Sequence, residues 1–303
     1  MTDPASFTPL QDLSGALVGL VAGAAPAVVS VHSHQSHSSG FVWRPGLIVT
    51  ADEALADEGD VAVGLPDGGT LPARVAGRDP TTDVAVLRFK PDGLPVAATT
   101  NAAVRAGETV LAVGNYDGSP LAALGIVALA GGPWHSTRGG TIDNFIRLDL
   151  ALSALGEGGA LVNAHGQVVA MTVLGPRHRA IAIPASTIER SVDQLLARGQ
   201  VFRGYLGAGL RPIGRERASR GAAGSEEGHG VLVVSIDPEG PSRRAGLLLG
   251  DIVTAWNGKP IERVREVMHL LGPESVGTTV DLSLTRGGAP AALKIVIGER
   301  PVT

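Results

Sequence analysis

Short apolar runs alternating with Gly, Pro and Asp set the rhythm of this chain and limit what it can fold into. Between Ala27 and Phe89 the runs cover residues 28–31, 40–43, 47–50, 61–65 and 84–89, and Pro66-Asp67-Gly68-Gly69 forms a turn. Runs of this length, bounded by turn formers, suit strands and are too short for helices. The pattern resumes after Pro95 over 109–113, 125–129, 144–148, 160–163, 168–173 and 180–183. Evenly spaced short strands close into barrels or pack as sandwiches. Two sets of barrel size predict a double β-barrel. The 42 Gly, 20 Pro and 3% aromatic content fit tight turns around a Val, Leu and Ala core.

At 187–196 the period changes: Ile188, Val192, Leu195 and Leu196 share a helical face, with Ser186 or Thr187 as N-cap and Gly199 ending the run. This helix is expected to connect two domains. The last hundred residues read as a further mixed unit, with strands at 204–210, 230–236, 252–256, 280–286 and 292–297 and helices at 242–245 and 261–271. The polar, Gly-rich stretch 218–229 is expected to be a mobile loop. The resulting division is an N-terminal segment 1–26, barrels at 27–95 and 96–186, a helical linker 187–200 and a C-terminal domain 201–303.

A net charge of -4 and a pI near 6.1 give no basic footprint for nucleic acid or an anionic membrane. With no cysteine, disulfides, thiolate metal sites and thiol catalysis are excluded. The apolar stretch 13–31 has no Lys or Arg before it and contains Pro26 and three glycines. It is therefore expected to be a short helix running into a strand, not a membrane span. On that reading the protein is cytoplasmic if Met1 is the native start, and periplasmic if a signal has been removed.

Three segments carry a family resemblance. Gly40-Phe41-Val42 and Gly46-Leu47-Ile48-Val49-Thr50 lead, three residues on, to Glu53; Asp79-Pro80-Thr81-Thr82-Asp83-Val84-Ala85-Val86-Leu87 follows; and Gly156-Glu157-Gly158-Gly159-Ala160-Leu161-Val162-Asn163 closes the set. These resemble the HtrA/Deg family of trypsin-like serine proteases, whose last motif reads Gly-Asn-Ser-Gly-Gly-Pro-Leu-Val. The resemblance implies a chymotrypsin/trypsin-like double β-barrel followed by a C-terminal PDZ domain. It places Glu53 on the catalytic histidine, Asp83 on the aspartate, Glu157 on the nucleophilic serine and Leu155 on an oxyanion-hole glycine. Triad chemistry needs a hydroxyl nucleophile and an imidazole base. The expectation is therefore a pseudoprotease with a degenerate triad and no peptide hydrolysis, the alternative being an active endopeptidase with displaced residues such as Ser153. Serines 33, 36, 38, 39 and 186 read as ordinary loop or strand-end residues, as does His165 in its turn. Glu53 and Glu157 could also act as a glycosidase-like carboxylate pair, but nothing in the sequence suggests an aromatic sugar platform.

In the last unit, Arg203-Gly204-Tyr205-Leu206-Gly207-Ala208 resembles the carboxylate-binding loop of HtrA PDZ domains, so residues 204–208 are the expected peptide-binding set. Gly246 fits a helix end and Asn257-Gly258 a hairpin turn. The expected partners are C-terminal or extended peptides, and the resemblance implies a homotrimer or a mixed oligomer with active relatives. No cofactor is expected. His32, His34 and His37 read as a solvated strand end, so no metal site is expected; a metal pair of His32 and His34 with His37 as third ligand is the alternative. Trp134 and His135 have no partner that the sequence identifies. If Glu53, Asp83 and Glu157 converge, at least one carboxyl should be harder to ionise than usual, or a cation should sit among them.

Overall fold

A computed structural model describes residues 8–34, 36–56, 59–90, 93–136, 138–198, 204–213 and 230–299. The chain divides into two compact units, Met1–Val201 and Phe202–Thr303. The first begins with helix α1 (Thr8–Ala24), followed by a 3-10 turn at Ala25–Ala27.

Six strands then form a closed barrel: β1 (Val28–Ser33), β2 (Ser36–Arg44), β3 (Leu47–Thr50), β4 (Val61–Gly64), β5 (Thr70–Asp79) and β6 (Val84–Phe89), joined in the order β1-β2-β3-β6-β5-β4. A second closed barrel uses β7 (Thr109–Tyr116), β8 (Ser119–Gly131), β11 (Phe145–Asp149), β12 (Ala160–Asn163), β13 (Val168–Gly175) and β14 (Arg179–Pro184), in the order β11-β14-β13-β12-β7-β8. The two-residue strands β9 (Trp134–His135) and β10 (Thr141–Ile142) pair outside it. Strand β5 is absent from the sequence expectation. Its exposed and half-buried residues at Thr70, Leu71, Pro72, Arg74 and Val75 break the apolar run that marks the other strands.

Each barrel encloses its own core, Val29, Val31, Ile48 and Leu87 in the first and Val127, Ile146, Leu161 and Ala170 in the second. A third cluster joins them. Phe41, Trp43, Val49 and Val86 of the first barrel pack with Leu111, Val113, Met171 and Ile183 of the second. Helix α2 (Ala185–Arg198) buries Ile188, Val192 and Leu195 in that same cluster. The helix expected as a connector is thus a structural part of the first unit, because its apolar stripe has a core to cover. It also starts earlier than expected. Ser186 donates to Asp143 and the Thr187 hydroxyl accepts the Asp143 N–H, so both tie α2 to the segment before β11. Gly199 and the expected mobile loop at 218–229 lie outside the described residues.

The N-terminal helix runs through the 3-10 turn into β1, the helix-then-strand order expected of this stretch, but it starts earlier, at Thr8. Residues 8–27 are long and apolar enough to cross a membrane by length and composition, and only 11% of the apolar window is buried. Gly15, Gly19 and Gly23 lie within the helix, and Pro26 comes after it in the 3-10 turn, where a proline is tolerated. Leu17, Leu20 and Val21 touch the inter-barrel cluster, whereas Leu10, Leu13 and Val18 face outward.

The second unit has a short pair of β15 (Gly204–Tyr205) and β22 (Gly298–Glu299), and a sheet ordered β16-β17-β18-β20-β21. Its members are β16 (Ala208–Pro212), β17 (Val231–Ile236), β18 (Ile252–Trp256), β20 (Thr279–Arg286) and β21 (Ala289–Val296), with β19 (Lys259–Pro260) pairing onto β18. Helices α3 (Pro241–Ala245) and α4 (Val264–Leu270) complete it. Leu206, Val233, Leu247, Trp256, Val267 and Leu282 form its separate core. Gly246 ends α3 in the left-handed conformation, and Asn257 and Gly258 both take positive φ between β18 and β19, as a type I′ hairpin turn requires.

Candidate functional site

The loop 79–83 is built around Asp79. Its carboxylate, buried, accepts the Thr81 N–H and hydroxyl, the Thr82 hydroxyl and the Ser191 hydroxyl of α2. The loop is therefore anchored to both a barrel strand and a helix. Asp83 follows with φ 59°, a conformation that a non-glycine residue holds only when its surroundings impose it. Its Oδ1 accepts the Glu53 N–H at 2.8 Å, which brings the β3 loop onto the Asp79 loop.

Burial pushes the Asp83 carboxyl up to about 7; the Glu53 N–H opposes the shift, while the carboxylates of Glu53, Glu157 and Asp52 add to it. Burial also raises the Asp52 carboxyl, against the ion pair with Arg78. Arg138 reaches across from the second barrel, 3.3 Å from Glu53 and 3.9 Å from Asp52. Sequence reasoning missed Asp52, Arg78 and Arg138. Asp52 sits directly before Glu53, but neither arginine carries a local signal.

Glu157 follows a 3-10 turn at Ala154–Gly156. Its side chain does not swing into solvent: Oε1 accepts the Leu174 N–H of β13 at 3.0 Å. Burial raises this carboxyl, Glu53 adds to the push, and the Leu174 N–H and the charge of His178 work against it. The Glu157 carbonyl accepts the Ser39 N–H, while the Ser39 hydroxyl donates to the Leu155 carbonyl and accepts the Asn115 N–H. Ser39, expected to be an ordinary strand residue, clamps the loop. Inside the turn, the N–H groups of Gly156 and Glu157 donate back to the carbonyls of Ser153 and Ala154. Those two amides are engaged within the turn. Gly158 has φ 78°, and a Cβ there would lie 2.3 Å from the Ser39 carbonyl oxygen, so the close approach of the two loops requires glycine. Ser153 is exposed at the entrance of the turn and its hydroxyl makes no hydrogen bond among the described residues.

In the second unit the Leu206 carbonyl accepts the Ser242 N–H and hydroxyl, and the Gly207 carbonyl accepts the Asp237 N–H. Across a planar trans peptide the next N–H points the opposite way. The Gly207 amide is therefore turned away from α3 and the Ala208 amide away from Asp237, beside β16, an edge strand of the sheet. Gly207 has φ 73°, and a Cβ on it would lie 3.0 Å from Gly240 Cα and Pro241 Cδ. Tyr205 donates its hydroxyl to Asp237 at 2.9 Å, which fixes the start of the loop.

The trypsin-like peptidase domain family matches residues 38–171 and the PDZ domain family residues 204–297. A probable periplasmic serine endoprotease of DegP-like type from Pseudomonas fulva is 34% identical over 278 residues, covering 88% of this chain and 57% of that protein. This decides the assignment. The chain belongs to the HtrA/DegP family. A relative described in the same words from Rhizobium meliloti is 32% identical over 87% of this chain and 53% of its own length. The chain thus spans a little over half the length of these relatives. The serine endoprotease from Yersinia pestis superposes with a TM-score of 0.73 at 29% identity, over 93% of this chain and 97% of that one. The HtrA-type protease AlgW, solved with a decapeptide, gives 0.73 at 25% identity over 94% and 98%.

These HtrA relatives overturn the expectation that the chain is not an enzyme. Proteins matching it along nearly its whole length are named serine endoproteases, and the matched domain is a peptidase domain. The replaced side chains at 53 and 157 are two positions in a match that covers 88% of the chain. The cytoplasmic expectation likewise finds no support, since these relatives are named periplasmic.

Proposed function

We propose that this HtrA chain handles polypeptide outside the cytoplasm, its PDZ domain capturing peptides by their free C-termini. On this reading Glu53, Asp83 and Glu157 occupy the catalytic positions of the trypsin-like unit, and Leu155 an oxyanion-hole position. The observation that carries the reading is the turn at Gly207: the Gly207 amide, turned away from α3, and the Ala208 amide, turned away from Asp237, lie next to a sheet edge and can hold a terminal carboxylate while the peptide adds as a strand to β16. Helix α4, packed near β16, supplies the other wall. The periplasmic names of the relatives and the exposed apolar helix α1 support the location.

The test is a titration of the full chain with labelled peptides that end in an apolar residue, as free acid and as amide. Hydrogen bonds to a charged acceptor are worth about 1.5–3 kcal/mol, so amidation should weaken binding by roughly tenfold or more. Equal affinity for the two forms would sink the carboxylate-capture model.

The names of the relatives favour a second reading, endopeptidase activity toward unfolded polypeptide. Serine-type chemistry requires a hydroxyl with a base beside it, whereas the three positions here carry carboxylates. Incubation with an unstructured protein separates the routes. Cleavage blocked by a serine-directed phosphonate would assign a displaced serine, with Ser153 as the first candidate. Cleavage that ignores the phosphonate and is lost in Glu157→Gln would assign the carboxylates, and an intact substrate would remove the reading.

A further inference from the structure

We propose that His32, His37 and Asp117 form a binding site for a divalent transition metal ion of the zinc type. The site is separate from the carboxylates at Glu53, Asp83 and Glu157. His32 on β1 stands directly opposite His37 on β2, and the two imidazoles are 4.6 Å apart between ring centres. Asp117 comes from the other barrel, in the turn between β7 and β8. That turn is held firmly. Asn115 Oδ1 accepts the Gly118 N–H, Asn115 Nδ2 donates to the Val28 carbonyl, and a Cβ on Gly118 would lie 3.0 Å from Gly68.

One ligand atom from each of the three side chains lies within 4.8 Å of the other two. His32 Nε2 is 3.0 Å from Asp117 Oδ1, is shut off from water and makes no hydrogen bond. A buried ring nitrogen facing a carboxylate oxygen without N–H···O geometry is costly. An ion placed between them removes the cost, because both atoms then direct lone pairs at one cation. Bonds of about 2.0–2.2 Å in a tetrahedral site put neighbouring ligand atoms roughly 3.3–3.5 Å apart. The observed spacing brackets that value, so small side-chain rotations complete the geometry.

Two imidazoles and one carboxylate select zinc and its neighbours over calcium and magnesium, which favour all-oxygen shells. The outward faces of His37 and Asp117 leave the fourth position to water. This trio differs from the same-strand pair of His32 and His34 that the sequence offers. His34 has φ 53° in the turn after β1 and is not part of the cluster, so the metal partners come from the facing strand and from the second barrel.

The experiment is calorimetric titration of the tag-free full chain with zinc, paired with cobalt as a visible-absorption reporter. The expected result is one zinc per chain, a four-coordinate cobalt spectrum and a melting temperature raised by zinc. His37→Ala and Asp117→Asn, both on exposed side chains, should each weaken binding by about tenfold or more while keeping the wild-type circular dichroism. His34→Ala should bind as wild type. Absent binding, equal affinity in His37→Ala and wild type, loss in His34→Ala as large as in His37→Ala, or equal affinity for magnesium would each overturn the proposal.

Discussion

Asp83 combines a strained backbone with a carboxyl whose folded value, about 7, lies well above its ordinary 3.8. The native state therefore holds a proton that the unfolded chain has already released. Its stabilising contribution is complete below about pH 4 and declines as the pH rises through 7. Asp83→Asn keeps an oxygen for the Glu53 N–H and removes the titration. Its melting temperature, relative to wild type, should rise between about pH 5 and pH 8. Glu157→Gln should move in the same direction, since burial raises that carboxyl too and the amide oxygen can still accept the Leu174 N–H. A difference from wild type that stays flat over this range would show that the buried carboxyls do not set the pH response. Convergence of these residues could be anticipated from their motif positions. The part played by Arg138 could not, because an arginine in a loop gives no sign of which carboxylate it will reach.

At the scale of elements, α2 shows how an amphipathic pattern reveals a helix without its partner. Ile188, Val192 and Leu195 are almost wholly inaccessible, and Ser191 is drawn into the Asp79 network. The helix thus steadies the loop that presents Asp83. Ile188→Ala should cost about 2–5 kcal/mol in the stability of the first unit, by lost burial and the cavity left behind. A urea melt followed through Trp43 fluorescence measures it, because Trp43 lies in the same cluster. A loss below about 0.5 kcal/mol would return α2 to the status of a tether. Strand β5 gives the complementary case: its residues alternate too irregularly for a sequence pattern, yet its backbone closes the barrel between β4 and β6.

The whole molecule contains two units whose cores share no residue among those described. Leu206, Val233, Leu247, Trp256 and Leu282 bury one another within the second unit, enough for folding without the barrels. A fragment of residues 202–303 should give a cooperative melt of its own and retain the preference for acid over amide peptides. A fragment without a melting transition would show that the barrels are needed to complete the domain.

Much of this architecture is local and so was readable in advance. Strand-length apolar runs, left-handed turns at Gly246 and Asn257-Gly258, and the motif order from Gly40 through Asn163 to the Gly204 loop depend on neighbours within a few residues. These carried the double barrel, the PDZ domain and the HtrA resemblance. What brings distant residues together depends on the packing of one barrel against the other. Only that packing sets Asp117 beside His32 and His37, Ser39 under the Leu155 carbonyl, and Arg138 against Glu53 and Asp52. Burial is likewise a tertiary property, and it turns Asp83 from an ordinary acid into one that titrates near neutrality. Sequence spacing records which atoms are bonded along the chain, whereas charge, solvent exclusion and metal geometry act through space.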